Sequence, residues 1–170
     1  LPRPPLSSVT SITYTDTADI DAGSARAVLT EGNVYHYLVE MPAMSDSERH
    51  LAAGAEERKL APVPAAQLAY GHLAVGETSS GRQKVLVTAV DKSTVRNATD
   101  AVEAAGLEVD LITTVPAALV RAAELMPSRA GGMAIAWLSE GRSYLTVFHD
   151  GTLELVRDFA LREVEVEADP

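Results

Sequence analysis

The sequence predicts an α/β fold, and three observations support this. An apolar stretch, Val85–Val90, is followed by helical periodicity from Ser93 and by a second apolar stretch, Val109–Ile112. That order of strand, helix and strand is typical of a crossover unit. After Gly132 apolar residues alternate, and Asp150-Gly151 separates two alternating segments, which indicates an antiparallel hairpin. With 170 residues, of which 46% are hydrophobic, the chain is long enough to bury a core.

The first forty residues give weaker signals. Leu1–Ser8 contains three prolines, so we expect a flexible lead, followed by a short strand near Ser11–Thr15. Ala27–Thr30 and Val34–Glu40 are apolar segments with β-forming residues, and they flank Glu31-Gly32-Asn33. This pattern predicts a β-hairpin.

A helix and a strand come next. Ser45-Asp-Ser-Glu48 has the form of a capping box, in which a Ser hydroxyl and a Glu carboxylate bond free amides at a helix start. We therefore predict a helix from there to about Leu60, ended by the prolines that follow. Gln67–Val75 has the alternation of a strand, and Glu77–Arg82 is predicted to be a surface loop.

The central unit predicts a parallel pair. The helix between its two strands has apolar residues at helical spacing and Gly106 at its end. Because such crossovers join neighbouring strands, we expect Val85–Val90 and Val109–Ile112 to pair in parallel. Pro116 suits the first turn of a further helix reaching about Met126.

The last forty residues predict a β-meander. Pro127–Gly132 is expected to be a linker, and Arg162–Pro170 is expected to be either a fourth edge strand or a frayed end. The predicted strands between them, with a turn at Ser139–Arg142, are Met133–Leu138, Ser143–His149 and Thr152–Asp158.

Composition excludes several functions. The formal net charge of −10 repels phosphate backbones, so nucleic acid is not an expected partner. There is no cysteine, and the four histidines have no ligand-like spacing, so we predict no metal site. No run of roughly 20 apolar residues is present, so no direct membrane insertion is expected. The chain begins at Leu1 rather than Met, which is compatible with an excised or processed segment.

Several motifs together resemble a known family. Thr114-Val-Pro-Ala-Ala-Leu119 follows the central unit, and Met133-Ala-Ile-Ala-Trp-Leu138, Tyr144–Gly151 and Leu155–Asp158 follow in order. Over about Ala27–Arg162 this pattern resembles the actin-like proteins of type IV pilus and type II secretion machines, namely PilM and its MshI and GspL relatives. The resemblance implies a fragment of the actin-like, ribonuclease-H-like fold, with a strand–helix–strand core and a β-meander.

The resemblance also implies a division of the chain. Residues 1–26 would be the flexible lead and short strand, and 27–83 an inserted α+β subdomain. Residues 84–130 would complete the first ribonuclease-H-like lobe, and 131–170 would be a β-meander that begins a second lobe. The family's N-terminal strands and first phosphate loop have no match in 1–26, so we expect the chain to be incomplete for this fold.

The family's phosphate loop is altered in this sequence. Its pattern is Asp-x-Gly-x-x-Thr/Ser, and the resemblance aligns Trp137 with the Asp, Ser139 with the Gly, and Ser143 with the final hydroxyl. A degenerate phosphate loop would consist of Ser139, Gly141, Arg142 and Ser143; the alternative is an ordinary polar turn. Because a Trp cannot replace a carboxylate near Mg²⁺, we predict no catalytic residues and no cofactor here, leaving ATP open for a longer parent.

The resemblance implies a scaffold rather than an enzyme. Such a protein would be cytoplasmic, peripheral to the inner membrane, and bound to inner-membrane assembly proteins similar to PilN. In the family the inserted subdomain helps form a groove for the N-terminal peptide of PilN. We therefore expect a peptide to bind Ala27–Gly76, along a strand edge, with four candidate contacts that could equally be core residues: Tyr35, Tyr37, Leu38 and Met41.

Two other functions stay open from the sequence. One is an ATP-binding or ATP-hydrolysing enzyme of the same superfold, and the other is a stand-alone α/β interaction domain. Asp91-Lys92 could form a catalytic pair, or an ordinary loop at a helix start; Glu56–Lys59 could be a partner patch, or a solvated helix face. His36 and His72 are expected to be packing residues. The sequence gives no oligomeric state.

Overall fold

The computed structural model describes residues 23–30, 32–126 and 131–161. The predicted lead, the strand near 11–15, most of the predicted linker, and the tail at 162–170 lie outside the described residues. The elements, with a short 3₁₀ turn at Ala65–Gln67, are β1 Ser24–Leu29, β2 Val34–Met41, α1 Asp46–Leu60, β3 Leu68–Glu77, β4 Gln83–Asp91, α2 Lys92–Ala104, β5 Glu108–Thr114, α3 Val115–Leu125, β6 Gly132–Trp137, β7 Ser143–His149 and β8 Thr152–Phe159.

The described strands form three sheets. One is antiparallel, in the order β2–β4–β3; one is the parallel pair β1–β5; and the third is the meander β6–β7–β8. The meander was predicted and is confirmed, with Asp150 at φ 47° and Gly151 at φ 79° in its second turn. These positive φ angles are those that an Asp-Gly hairpin turn requires.

Two predicted strand pairings are wrong. Ala27–Thr30 and Val34–Glu40 do not form a hairpin, because β1 pairs in parallel with β5 while β2 pairs antiparallel with β4. Val85–Val90 and Val109–Ile112 are not neighbours either, because β4 has β2 on one side and β3 on the other. Helix α2 therefore carries the chain from one sheet to another. Periodicity identified each strand correctly, but it does not specify the partner.

The segment between β1 and α2, from β2 to β4, has its two ends next to each other. Asn33, just before β2, and Asp91, at the end of β4, form a side-chain hydrogen bond of 2.9 Å from Nδ2 to Oδ2. The backbone N–H of Asp91 also donates to the carbonyl of Asn33 at 3.4 Å. The segment from β2 to β4 is thus closed at its base.

Helix α1 covers one face of the β2–β4–β3 sheet. Its start is the predicted capping box: Glu48 N–H donates to Ser45 Oγ, and Ser45 N–H donates to Glu48 Oε2 at 2.9 Å. Hydrogen bonds from the hydroxyl and amide of Ser45 lower the pKa of the Glu48 carboxyl. Ala53 is fully buried against the sheet, and Gly54 has no space for a larger residue because its Cβ would lie 2.6 Å from the Tyr70 ring.

The meander packs on the opposite face of the same sheet. Val75 and Leu86 of the sheet form one core cluster with Phe148 and Leu153 of the meander. Lys84 and Glu154 form an ion pair at the edge of this contact. At Gly76, φ is +134° and a side chain would meet Thr152, whose Oγ1 would lie 2.6 Å from the added Cβ. A glycine is therefore required where β3 approaches β8.

Helices α2 and α3 cover opposite faces of the β1–β5 pair. Ala27 packs with Val102 of α2, whereas its neighbour Val28 contacts the cluster that contains Val115 and Leu119 of α3. Pro116 is buried in the first turn of α3, as predicted, where its missing N–H costs no helical hydrogen bond.

Candidate functional site

The described residues form an apolar groove of about 830 Å³. One wall is β3 together with the adjacent face of β4, and the other is the β1–β5 pair with α3. We call this the β3–α3 groove. It lies beside the part of the sheet that the meander covers.

The β3 wall is apolar and includes two small residues. Ala69, Gly71 and Leu73 alternate along β3 and turn to the groove, with Thr88 on β4 behind them. Gly71 needs no unusual backbone angle, and a Cβ there would find only Thr88 Oγ1 within 4 Å, at 3.7 Å. Glycine at this position therefore leaves room in the groove rather than enabling a turn.

The opposite wall is a stripe of α3. Ala118, Arg121, Ala122 and Leu125 all line the groove, and their spacing places them on one helix face. Leu125 is 80% exposed and Leu111, on β5, is 48% exposed. Large apolar side chains this exposed, grouped around one groove, are typical of a binding surface.

The charged residues at the rim of the groove are paired within the chain. Arg26 Nε lies 2.9 Å from Asp110 Oδ2, and Arg121 Nη1 lies 2.8 Å from Glu124 Oε2. In the described part of the chain, no group of three or more His, Asp or Glu residues is arranged to hold a metal ion. The groove therefore has the character of a surface for apolar groups.

The four predicted partner contacts lie elsewhere. Met41 is 4% exposed and belongs to the core beneath α1, with Tyr37 packed against it. The Tyr37 hydroxyl donates to the Leu60 carbonyl at 3.0 Å, and Leu38 packs on the meander side. Tyr35 is half-buried on β2. None of the four lines the β3–α3 groove, and Met41 has no surface to offer a partner.

The polar groups of the predicted phosphate loop bond mainly to one another. Ser139 N–H donates to Ser143 Oγ at 3.1 Å, and Ser139 Oγ donates to the Arg142 carbonyl at 3.0 Å. Ser143 is fully buried, and Gly141 is exposed without a positive φ. Arg142 donates to the Val34 carbonyl at 3.2 Å and lies 3.6 Å from Asp158, so its guanidinium joins the meander to β2.

His36 lies beside this turn as a packing residue. Its ring meets Tyr144 edge-on, with centroids 5.5 Å apart, and its buried Nε2 has no hydrogen-bond partner among the described residues. Burial lowers the pKa of His36 to about 4, against a smaller opposing effect of Asp158. Burial likewise raises the pKa of the Tyr144 hydroxyl.

The remaining candidates make contacts within the fold. Asp91 accepts from Asn33, and Lys92 Nζ donates to the Ala66 carbonyl at 2.9 Å. His72 bonds Asp46 at 3.2 Å. The interpretation of Glu56–Lys59 as a solvated face is wrong for Glu57, which is 2% exposed and turned toward the sheet.

Sequence reasoning did not identify the groove. Its signals were present, since small residues alternate on β3 and Ala118, Ala122 and Leu125 recur at helical spacing. Each signal indicates only the strand or the helix that contains it. The groove arises only because β3 and α3, which are far apart in the chain, lie on either side of it.

Comparison with known proteins gives the fold. No family model and no curated protein matches the chain. Among solved structures it is similar to a chain of the PilM-PilN type IV pilus biogenesis complex, with a TM-score of 0.69 and 19% sequence identity, covering 82% of this chain and 43% of that one. It is also similar to a Bacteroides thetaiotaomicron protein with an actin-like ATPase fold and unknown function, with a TM-score of 0.48 and 11% identity, covering 75% and 45%.

The likeness to the chain of the PilM-PilN complex confirms the predicted fold class, an α/β fragment of the actin-like fold. At 19% identity the match extends to the fold and no further, and the chain spans less than half of the chain that it matches. Among residues 23–30, 32–126 and 131–161, no helix has the length and apolar character needed to cross a bilayer.

Proposed function

We propose that this chain is part of a non-catalytic cytoplasmic scaffold in the inner-membrane assembly platform of a type IV pilus or type II secretion machine. Its β3–α3 groove binds a cytoplasmic segment of a PilN-like membrane component. The observation that supports this proposal most directly is the groove itself, which is apolar, bordered by exposed leucines, and present in a chain with the fold found in a PilM-PilN complex.

The composition of the groove favours a peptide over a small polar ligand. Its charged rim residues already have partners, so little unpaired charge is left to hold a nucleotide or another polar small molecule. Apolar surface next to Leu111 and Leu125 stabilises a complex by excluding water from both partners. A peptide with apolar side chains meets that requirement.

In this function the partner contacts residues of the groove rather than Tyr35, Tyr37, Leu38 and Met41 of β2. A side chain added at Gly71 would occupy the groove without a backbone cost, because φ there is not positive and the nearest non-adjacent atom to its Cβ is 3.7 Å away. Gly71→Val should therefore block binding while leaving the fold intact. Ala74→Val is a matched control, since Ala74 is exposed on the same strand and does not line the groove.

The experiment is a fluorescence anisotropy titration of the 170-residue chain. The probe is a labelled synthetic peptide covering the N-terminal cytoplasmic segment of the PilN-like protein encoded in the same genome. We expect saturable binding, weakened about tenfold or more by Gly71→Val, a loss of about 1.4 kcal/mol or more, and unchanged by Ala74→Val. Absence of saturable binding to the unaltered chain, or equal affinity in both variants, would refute the proposal.

A further inference from the structure

On each of the two outer strands of the β2–β4–β3 sheet, alternate residues direct their backbone N–H and C=O groups away from β4. In antiparallel pairs, residues alternate between those that exchange hydrogen bonds with the partner and those that turn away from it. The hydrogen bond from Asp91 N–H to the Asn33 carbonyl sets that alternation for β2 and β4. Accordingly His36 and Leu38 of β2 turn their backbone N–H and C=O groups away from the sheet.

The same alternation fixes the outer edge of β3. Residues of β4 bond alternately to its two neighbours, so Leu86 and Thr88 bond to β3 rather than to β2. Their partners on β3 are Leu73 and Gly71. The intervening residues, Tyr70 and His72, therefore direct their N–H and C=O groups outward.

The edge of β2 is obstructed at both ends. Arg142 Nη1 donates to the Val34 carbonyl at 3.2 Å, and Arg82 Nη2 donates to the Glu40 carbonyl at 2.7 Å. Long charged side chains at an edge are a common means of preventing further strand pairing. Little of this edge is left open for another strand.

The edge of β3 is open in the described residues. No hydrogen bond there uses the outward N–H or C=O groups of Tyr70 and His72. Their side chains do not cover the edge, because Tyr70 stacks on His50 with centroids 4.8 Å apart and His72 bonds Asp46, both on the α1 side. Tyr70 and His72 also line the β3–α3 groove together with Gly71, so the backbone edge itself borders the groove.

We propose that the partner segment binds as an added strand along the outer edge of β3. It is extended, its main chain pairs with Tyr70 and His72, and every second side chain enters the β3–α3 groove. The occupant is thus a peptide with apolar residues at alternate positions, because successive side chains of a strand point to opposite faces and only one face meets the groove. This inference rests on the proposed function and adds the binding mode.

Amide hydrogen exchange, measured by NMR on the 170-residue chain with and without the same PilN-derived peptide, tests the mode. An added strand should slow exchange at the amides of Tyr70 and His72 by about tenfold or more, since exposed edge amides would become hydrogen-bonded. The outward amides of His36 and Leu38 serve as an internal control and should not change. A second readout is a scan of peptides methylated at single backbone nitrogens, which should lose affinity at every second position.

The outcomes separate the binding mode from the function. If the peptide binds but protects His36 and Leu38, or protects neither edge, or if methylation has no alternating effect, the strand-addition mode is wrong while the proposed function stands. If the unaltered chain shows no saturable peptide binding in the anisotropy titration, the proposed function fails and this inference fails with it.

Discussion

One face of the β2–β4–β3 sheet contains two neighbouring regions, one covered by the meander and one left open as the β3–α3 groove. In the covered region Val75 packs on Leu153, and the ion pair of Lys84 with Glu154 lies at the border. In the open region Gly71 adds no side chain, and Leu125 is 80% exposed. One face of the same sheet therefore contributes both to a buried core and to an exposed apolar groove.

The open region is where this chain gives up stability. Each Å² of apolar surface left in water forgoes about 25 cal/mol of burial energy, so an open apolar groove is costly to keep unless a partner covers it. The covered region stabilises the fold, and the open region is the one that we propose binds the partner. Substitutions in the covered region should accordingly lower stability, and substitutions in the open region should lower peptide affinity.

The largest expected effect comes from a matched pair of leucine truncations. Leu153 is fully buried beneath the meander, so Leu153→Ala should lower the free energy of unfolding by about 2–5 kcal/mol. Leu125 is exposed at the groove, so Leu125→Ala should change stability by less than about 0.5 kcal/mol while weakening peptide binding. Urea denaturation and the anisotropy titration measure the two quantities. Equal stability losses in the two variants would end the distinction between the regions.

The next largest effect is a pH dependence of stability that comes from His36, on the sheet face that the meander covers. Its pKa is lowered to about 4 in the folded protein, so between that pH and the ordinary value of 6.5 the unfolded chain binds more protons. Stability therefore rises with pH across that window and is lost on acidification, by about 2 kcal/mol between pH 7 and pH 5. In His36→Phe this component of the pH dependence should be absent. Parallel pH profiles of the two proteins in urea denaturation would contradict the assignment.

A smaller effect on stability is expected at the start of α1. Ser45→Ala removes the hydroxyl that caps α1 and should lower the free energy of unfolding by about 1 kcal/mol. Peptide affinity should not change, because Ser45 lies outside the groove. Thermal denaturation and the same peptide titration check both parts. A loss of affinity as large as that of Gly71→Val would show that the groove depends on α1 more than its contacts indicate.

The smallest effect is expected from adding nucleotide. The family resemblance aligns Trp137 and Ser139 with the Asp and Gly of the phosphate loop, and Arg142 bonds to the Val34 carbonyl, so calorimetric titration with ATP and Mg²⁺ should give no saturable heat. Micromolar affinity that disappears in Arg142→Ala would instead revive the degenerate phosphate loop, and with it the alternative of an ATP-binding protein.

Local signals predicted most elements, because capping, turn and periodicity patterns act over a few residues. Ser45 and Glu48 predicted the start of α1, and Asp150-Gly151 predicted the β7–β8 hairpin. Pairing was harder to predict, because β1 and β5 are separated in the chain by β2, α1, β3, β4 and α2. The assignment of residues 27–83 and 84–130 to separate units stays a prediction.

The site was predicted less well than the fold, for the same physical reason. Tyr37 and Met41 are residue types common in contact surfaces, but here they pack in the core beneath α1. The signal of Gly71 was ambiguous, since a glycine in a strand usually marks a bulge or a close approach rather than open space. Only the position of β3 opposite α3 shows that the absence of a side chain at Gly71 leaves open space in the groove.

The closure of the insertion at Asn33 and Asp91 has a consequence for how such a protein diversifies. Because the chain enters and leaves this segment at adjacent points, a loop within it can change in length without separating β1 from α2. Loop lengthening at a closed base carries only a small entropic penalty. The loop between β3 and β4 can thus vary in length, whereas the strands of the segment must keep the core that Val75 and Leu86 share with the meander.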